Sequence, residues 1–130
     1  MIVVDAAALL EALLRTPAAR AVEARLFDAG ETLHAPHLLD IEVAQVMRGD
    51  AAGGEINEAR GREALADLAD LPLHRYPHDV LLPRVWDLRN NLTAYDAAYV
   101  ALAEALDAPL ITRDQRLAAA SGHRARIELV

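Results

Sequence analysis

The chain has 130 residues, no cysteine and a net charge of -7, and all 13 of its basic residues are arginine. That length supports one domain with its own core, and the missing cysteine excludes disulfides, thiolate metal sites and a cysteine nucleophile. The missing lysine excludes P-loop and Schiff-base chemistry, and the acidic balance argues against a module that binds nucleic acid by blanket phosphate neutralisation.

The start, MIVVDAAALLEALL, has no basic n-region and is interrupted by Asp5 and Glu11, so it does not read as a secretory signal. No apolar run approaches the roughly 18 residues of a membrane span. The expectation is a single domain over 1–130, soluble and cytoplasmic.

IVVD at 2–5 is a short β-branched run, expected as a buried strand, and a helical pattern follows from Ala6 to about Leu14. Thr16 before Pro17 reads as an N-cap with proline at the first helical position, opening a second helix to about Ala29, which Gly30 ends. LHAP at 33–36 is extended. HLLDIEVAQVMR then places Leu39, Val43, Val46 and Met47 on one helix face, and GDAAGG is expected as a loop. EINEARGREALADLADL is an amphipathic helix stopped by Pro72, LHRY at 73–76 a strand, and VLLPRVWDLRNN a helix with Pro83 near its start. Thr93 to Leu106 is an apolar helix, APLIT at 108–112 a buried strand, QRLAAASG a short helix ended by Gly122, and ARIELV the last strand. Strands alternating with helices predict an α/β domain of three layers, α/β/α, around a mainly parallel central sheet.

Four acids stand where solvation explains them poorly: Asp5, Glu42, Asp96 and Asp114. Asp5 ends the first strand and Asp114 follows the strand PLIT, at the edge where open α/β sheets bind ligands. Glu42 and Asp96 lie in early turns of their helices and could face the same edge. Taken singly, Asp5 and Asp114 could be helix caps, Asp96 favourable first-turn charge, and Glu42 a solvated flank residue. Gathered at one edge, four carboxylates repel and raise one another's pKa unless cations compensate. An all-oxygen ligand set favours Mg²⁺ or Mn²⁺, and such ions lower the pKa of a bound water, orient it toward a phosphorus and neutralise the leaving oxygen. Phosphodiester hydrolysis is the matching reaction class.

VVDAAALL, APHLLDIEV, TAYDAAYVALAEAL and LITRDQRLA, in this order and spacing, resemble the PIN-domain ribonucleases, in particular the VapC-type toxins of toxin-antitoxin modules. The resemblance covers essentially the whole chain. It implies a PIN-like fold and a metal-dependent endoribonuclease cutting RNA, often tRNA or rRNA, to inhibit translation. It further implies an antitoxin protein partner, a homodimer, and an acidic quartet of Asp5, Glu42, Asp96 and Asp114 that holds Mg²⁺ or Mn²⁺. The polar position two before the last acid falls on Thr112. Ala6 and Ala7 stand where many relatives carry a serine or threonine after the first aspartate. The alternative function is a catalytically inactive PIN-like scaffold that regulates by binding a partner.

Asn91 and Arg113 are supporting candidates, for a substrate phosphate or base and for the RNA backbone, and Arg116 flanks Asp114 likewise. Loop chemistry and ion pairing are their competing readings. His34 and His37 read as structural, and Trp86, Tyr95 and Tyr99 as core or dimer surface. The apolar faces of AAALLEALL and AVEARLF are rich enough to offer a partner groove as well as a core.

Overall fold

The computed structural model describes all of residues 1–130. Strands β1 (Ile2–Val4), β2 (Leu33–Pro36), β3 (Leu73–Tyr76), β4 (Leu110–Thr112) and β5 (Ile127–Leu129) form one sheet in the order β3-β2-β1-β4-β5. Every pairing is parallel. The three central strands are buried on both faces, which is why IVV, LHAP and LIT carry no alternation.

Seven helices complete the chain: α1 (Ala6–Leu13), α2 (Ala19–Leu26), α3 (Leu38–Gly53), α4 (Glu58–Asp70), α5 (Leu82–Asp87), α6 (Ala94–Leu106) and α7 (Gln115–Ala118). Helices α1 to α4 pack on one another, and α5 packs on α6, which lies against β1, β2 and β4. Right-handed crossovers put these two groups on opposite faces, giving the expected three-layer α/β/α arrangement. Ala97 to Ala103 of α6 are all buried, so a helix covered all round needs no polar stripe. No helix is long and apolar enough to cross a membrane.

Three local expectations are corrected. The GDAAGG loop is instead the last part of α3, which runs through Gly49 and Gly53 and ends on Gly54 at φ +80. The left-handed cap, one residue beyond the helix, is the position that needs glycine. Thr16 does not cap α2. Its hydroxyl turns back to the Glu11 carboxylate, Pro17 lies in a turn, and the helix starts at Ala19 without a side-chain cap and ends at Leu26. The segment VLLPRVWDLRNN divides into a 3-10 turn, Asp79–Leu81, and the short α5, with Pro83 in its first turn.

Candidate active site

The strand order reverses between β1 and β4: β2 and β3 extend the sheet from β1 in one direction, β4 and β5 in the other. In a parallel sheet that is the point where flanking connections diverge and a crevice opens at the carboxyl ends. Asp5 and Asp114 follow these two neighbouring strands, so the switch point is lined by acids from both sides.

Each acid is set by its own helix. Asp5 is the N-cap of α1, and its Oδ1 accepts from the Ala8 N–H at 2.8 Å. Asp114 is the N-cap of α7, and its Oδ1 accepts from Arg116 N–H at 2.8 Å and Leu117 N–H at 3.4 Å. Thr93 caps α6 by accepting from the Asp96 N–H at 3.2 Å, fixing the turn that carries Asp96. Glu42 lies in the second turn of α3, whose first N–H, from Leu38, donates to His78 Nε2 at 2.8 Å. The capping reading is thus true of Asp5 and Asp114, and it does not compete with a second role. A cap uses one carboxylate oxygen and aims the other.

Thr112 joins the two strand ends. It is fully buried, donates its hydroxyl to Asp5 Oδ2, and accepts from the Asp114 N–H at 2.9 Å. Tyr99, one turn after Asp96, donates its hydroxyl to Glu42 Oε1 at 2.5 Å.

The electrostatics tie these groups together. Burial pushes the Asp5 carboxyl up to about 6 even though Thr112 and the Ala8 N–H favour its charged form, and Glu42 and Asp96 push the same way. Glu42 is raised by burial and by Asp96, against the hydrogen bond from Tyr99. Asp96 is raised by burial and then by Asp114. The Arg116 guanidinium is a minor influence that lowers Asp96, and its side chain is 94 % exposed and 3.8 Å from Asp114 Oδ1. The four carboxylates therefore sense one another as a chain, Glu42 and Asp96 about Asp5 and Asp114 beyond Asp96, with no buried arginine among them.

No three ligating side chains close tightly enough to cage an ion as they stand. Asp5 has both oxygens engaged, with Thr112 and the Ala8 N–H. In donor chemistry the set fits a hard divalent cation: all-oxygen, anionic and unneutralised.

The supporting candidates make other contacts. Arg113 donates to the Val130 carbonyl and lies 3.8 Å from Glu11, and Asn91 Nδ2 donates to Ser121 Oγ at 3.3 Å. The Asn91 amide also packs against Gly122, where a Cβ would come within 2.8 Å of its Oδ1. His34 is buried between Thr32 Oγ1 and Tyr76 Oη, each at 2.7 Å, and stacks on His74. Trp86 is surface rather than core: it is 66 % exposed, with Arg89 over its ring. Tyr99 is core, and its polar tip was the feature missed. Its position three residues after Asp96 puts both side chains on one face of α6, and that spacing was the available signal.

Beside the acids runs an apolar groove of about 500 Å³ lined by Ala6, Ala7 and Leu10 of α1, Leu38, Ile41 and Val46 of α3, and Tyr95, with Glu42 on its wall. The α1 face is therefore a groove wall, whereas Val22 and Leu26 of α2 are spent in the core.

Residues 2–122 match the PIN domain. The chain is 45 % identical over 130 residues to ribonuclease VapC12 of Mycobacterium tuberculosis, covering all of this chain and 99 % of that one. It is 48 % identical over 129 residues to ribonuclease VapC1 of the same organism, covering 98 % and 96 %. A toxin-antitoxin complex from Klebsiella pneumoniae contains a chain of the same fold, with a TM-score of 0.64 at 22 % identity over 92 % of this chain and 91 % of that one. The protein belongs to the PIN-domain family, among the VapC ribonucleases.

Proposed function

We propose that the protein is a divalent-metal-dependent endoribonuclease, the toxin of a toxin-antitoxin module, hydrolysing phosphodiester bonds of tRNA or rRNA in the cytoplasm and so inhibiting translation. The observation that carries this reading is the gathering of four carboxylates at the β1/β4 switch point, where Asp5, Glu42 and Asp96 are raised by burial and by neighbouring acids. Asp5, Asp96 and Asp114 would hold Mg²⁺ or Mn²⁺, with Glu42 completing the set or orienting the attacking water. When bound, the ion supplies Lewis acidity toward the phosphate and eases deprotonation of water.

The chain's own residues do the arranging. Thr112 fixes the spacing of the β1 and β4 ends, so the acids on either side keep their separation. The Asp5 and Asp114 caps tie each carboxylate to the first turn of its own helix. Arg116, exposed at the rim, is placed to meet an RNA phosphate. The Ala6 and Ala7 side chains offer no hydroxyl, so polar support falls to Thr112 and Tyr99.

The relatives named ribonucleases and the complete quartet leave the idle-scaffold alternative without support. An antitoxin partner is in keeping with the Klebsiella complex, and a homodimer would cover exposed Trp86, Tyr95 and Leu82.

Melting of wild type and Asp96→Asn with and without Mg²⁺ or Mn²⁺, beside RNA cleavage by both, tests the assignment. Metal should raise the melting temperature of wild type alone and be required for cleavage. An equal metal response in the two proteins would sink it.

A further inference from the structure

Of the four acids, Glu42 and Asp96 have carboxylates that no backbone group holds, and Glu42 carries its carboxylate on the longer side chain. Asp5 and Asp114 accept from helix N–H groups, and Asp96 stands in the capped first turn of α6. Glu42 hangs on a longer side chain inside α3, half-buried on the wall of the apolar groove. A glutamate so placed has several rotamers open to it, and holding one of them costs side-chain entropy.

Its hydrogen-bond partner is the Tyr99 hydroxyl at 2.5 Å. Tyr99 is 2 % exposed and is flanked on α6 by buried residues from Ala97 to Ala103. An aromatic ring has only two side-chain torsions, and here the packed core fixes both. The phenol thus carries the rigidity of the core to the loosest carboxylate of the cluster. It engages Oε1 and leaves Oε2 without a protein donor.

We infer that Tyr99 is a positioning residue, which holds Glu42 through Oε1 and so presents Oε2 as the one oxygen offered to a divalent cation. The inference rests on the metal reading of the quartet and adds to it a defined, single-oxygen role for Glu42. The competing account is that a buried phenol needs some acceptor and Glu42 merely provides it. The two differ in what removal of the phenol oxygen does to metal affinity, since outer-shell partners of ligating carboxylates affect the metal and a simple core hydrogen bond does not.

The measurement is Mn²⁺ titration of the full chain by calorimetry, for wild type, Tyr99→Phe, Glu42→Gln and the double variant. Tyr99→Phe should bind Mn²⁺ about 10- to 100-fold more weakly, and its RNA cleavage should recover at raised Mn²⁺. In the Glu42→Gln background it should add nothing, the mark of two groups acting through one interaction. Wild-type Mn²⁺ affinity in Tyr99→Phe, or losses that multiply in the double variant, would overturn the inference while leaving the metal site standing. A wild type that takes up no Mn²⁺ would remove both. Should Tyr99→Phe not fold, Glu42→Asp draws the carboxylate back from the phenol without touching the core. It must then weaken Mn²⁺ binding by a similar factor, and unchanged affinity counts against the role.

Discussion

Asp5 and Glu104 are both acids almost closed to solvent, and the fold treats them in opposite ways. The Glu104 side chain is 4 % exposed, yet its carboxyl is held below its usual range because Arg84 meets it bidentately at 2.7 and 3.0 Å, with the Arg124 N–H at 2.8 Å. Asp5 is 6 % exposed and burial pushes it up to about 6; its hydroxyl and amide donors offset only part of that, and no guanidinium faces it. Glu128, bound to Arg25, follows Glu104, and Glu31 is lowered first by the N-terminal ammonium and then by Arg25. The chain has arginine available for its structural acids, whereas at the switch point only the exposed Arg116 comes near an acid. Burial alone therefore does not decide an acid's state; the partner does, and at the carboxyl edge the partner is left to come from outside.

Replacing the site acids should break this contrast most severely. Asp5→Asn, Asp96→Asn and Asp114→Asn should each lower RNA cleavage about 100-fold or more, since each removes charge that would hold the cation. Melting in the absence of metal should show the reverse for Asp5→Asn, a protein more stable than wild type at neutral pH. A site acid whose loss destabilises the metal-free fold and spares cleavage would belong with Glu104.

The pH dependence separates the two regions by sign. The carboxyl of Asp5 is raised, so the stability it contributes is fully present below its ordinary value of 3.8 and is lost as pH rises through about 6. The shift corresponds to roughly 3 kcal/mol in the metal-free protein. The carboxyls of Glu31, Glu104 and Glu128 are lowered, so their contribution is present above 4.5 and is lost as pH falls. Denaturant midpoints of wild type against Asp5→Asn between pH 4 and 7 should diverge upward through that window. Metal protection should fade below about pH 6, where Asp5 takes up a proton. Parallel curves would remove Asp5 as the source.

Cutting a satisfied acid is the smaller, purely structural case. Glu104→Ala should cost about 2–3 kcal/mol in chemical denaturation, since it strips charged hydrogen bonds from Arg84, which can partly rehydrate. Metal-induced stabilisation should be unchanged.

Much of this was legible from residue order. Short apolar runs without alternation marked the parallel strands, and an aspartate at the end of each of two runs marked the edge. What misled were signals that tertiary partners overrode. Gly49 and Gly53 read as loop, yet α3 packs on α4 and continues to Gly54. Thr16 and Pro17 read as a helix start, but the Thr16 hydroxyl finds the Glu11 carboxylate instead of the next turn. Within the site, acid positions could be proposed from strand and helix patterns because Asp5 and Asp114 stand at strand-to-helix junctions and Asp96 and Glu42 lie in the first and second turns of their helices. The tie between Tyr99 and Glu42 spans 57 residues, and no local pattern encodes such a distance.

Thr112 tests the joint between the two strand ends with the smallest expected effect. Thr112→Val keeps the shape of a fully buried side chain but leaves the Asp114 N–H without its acceptor and Asp5 Oδ2 without its donor. The loss should be about 1–2 kcal/mol, the cost of an unpaired buried polar group softened by neighbouring carboxylates. The more telling change is electrostatic. The Thr112 hydrogen bond is the largest influence holding the Asp5 carboxyl down, so without it that carboxyl must rise further. The acid limb of the cleavage-pH profile should therefore move to higher pH in Thr112→Val, and at high pH activity should return toward wild type. A variant that loses stability with an unmoved acid limb would show that the hydroxyl only joins strands and does not tune the acid beside it.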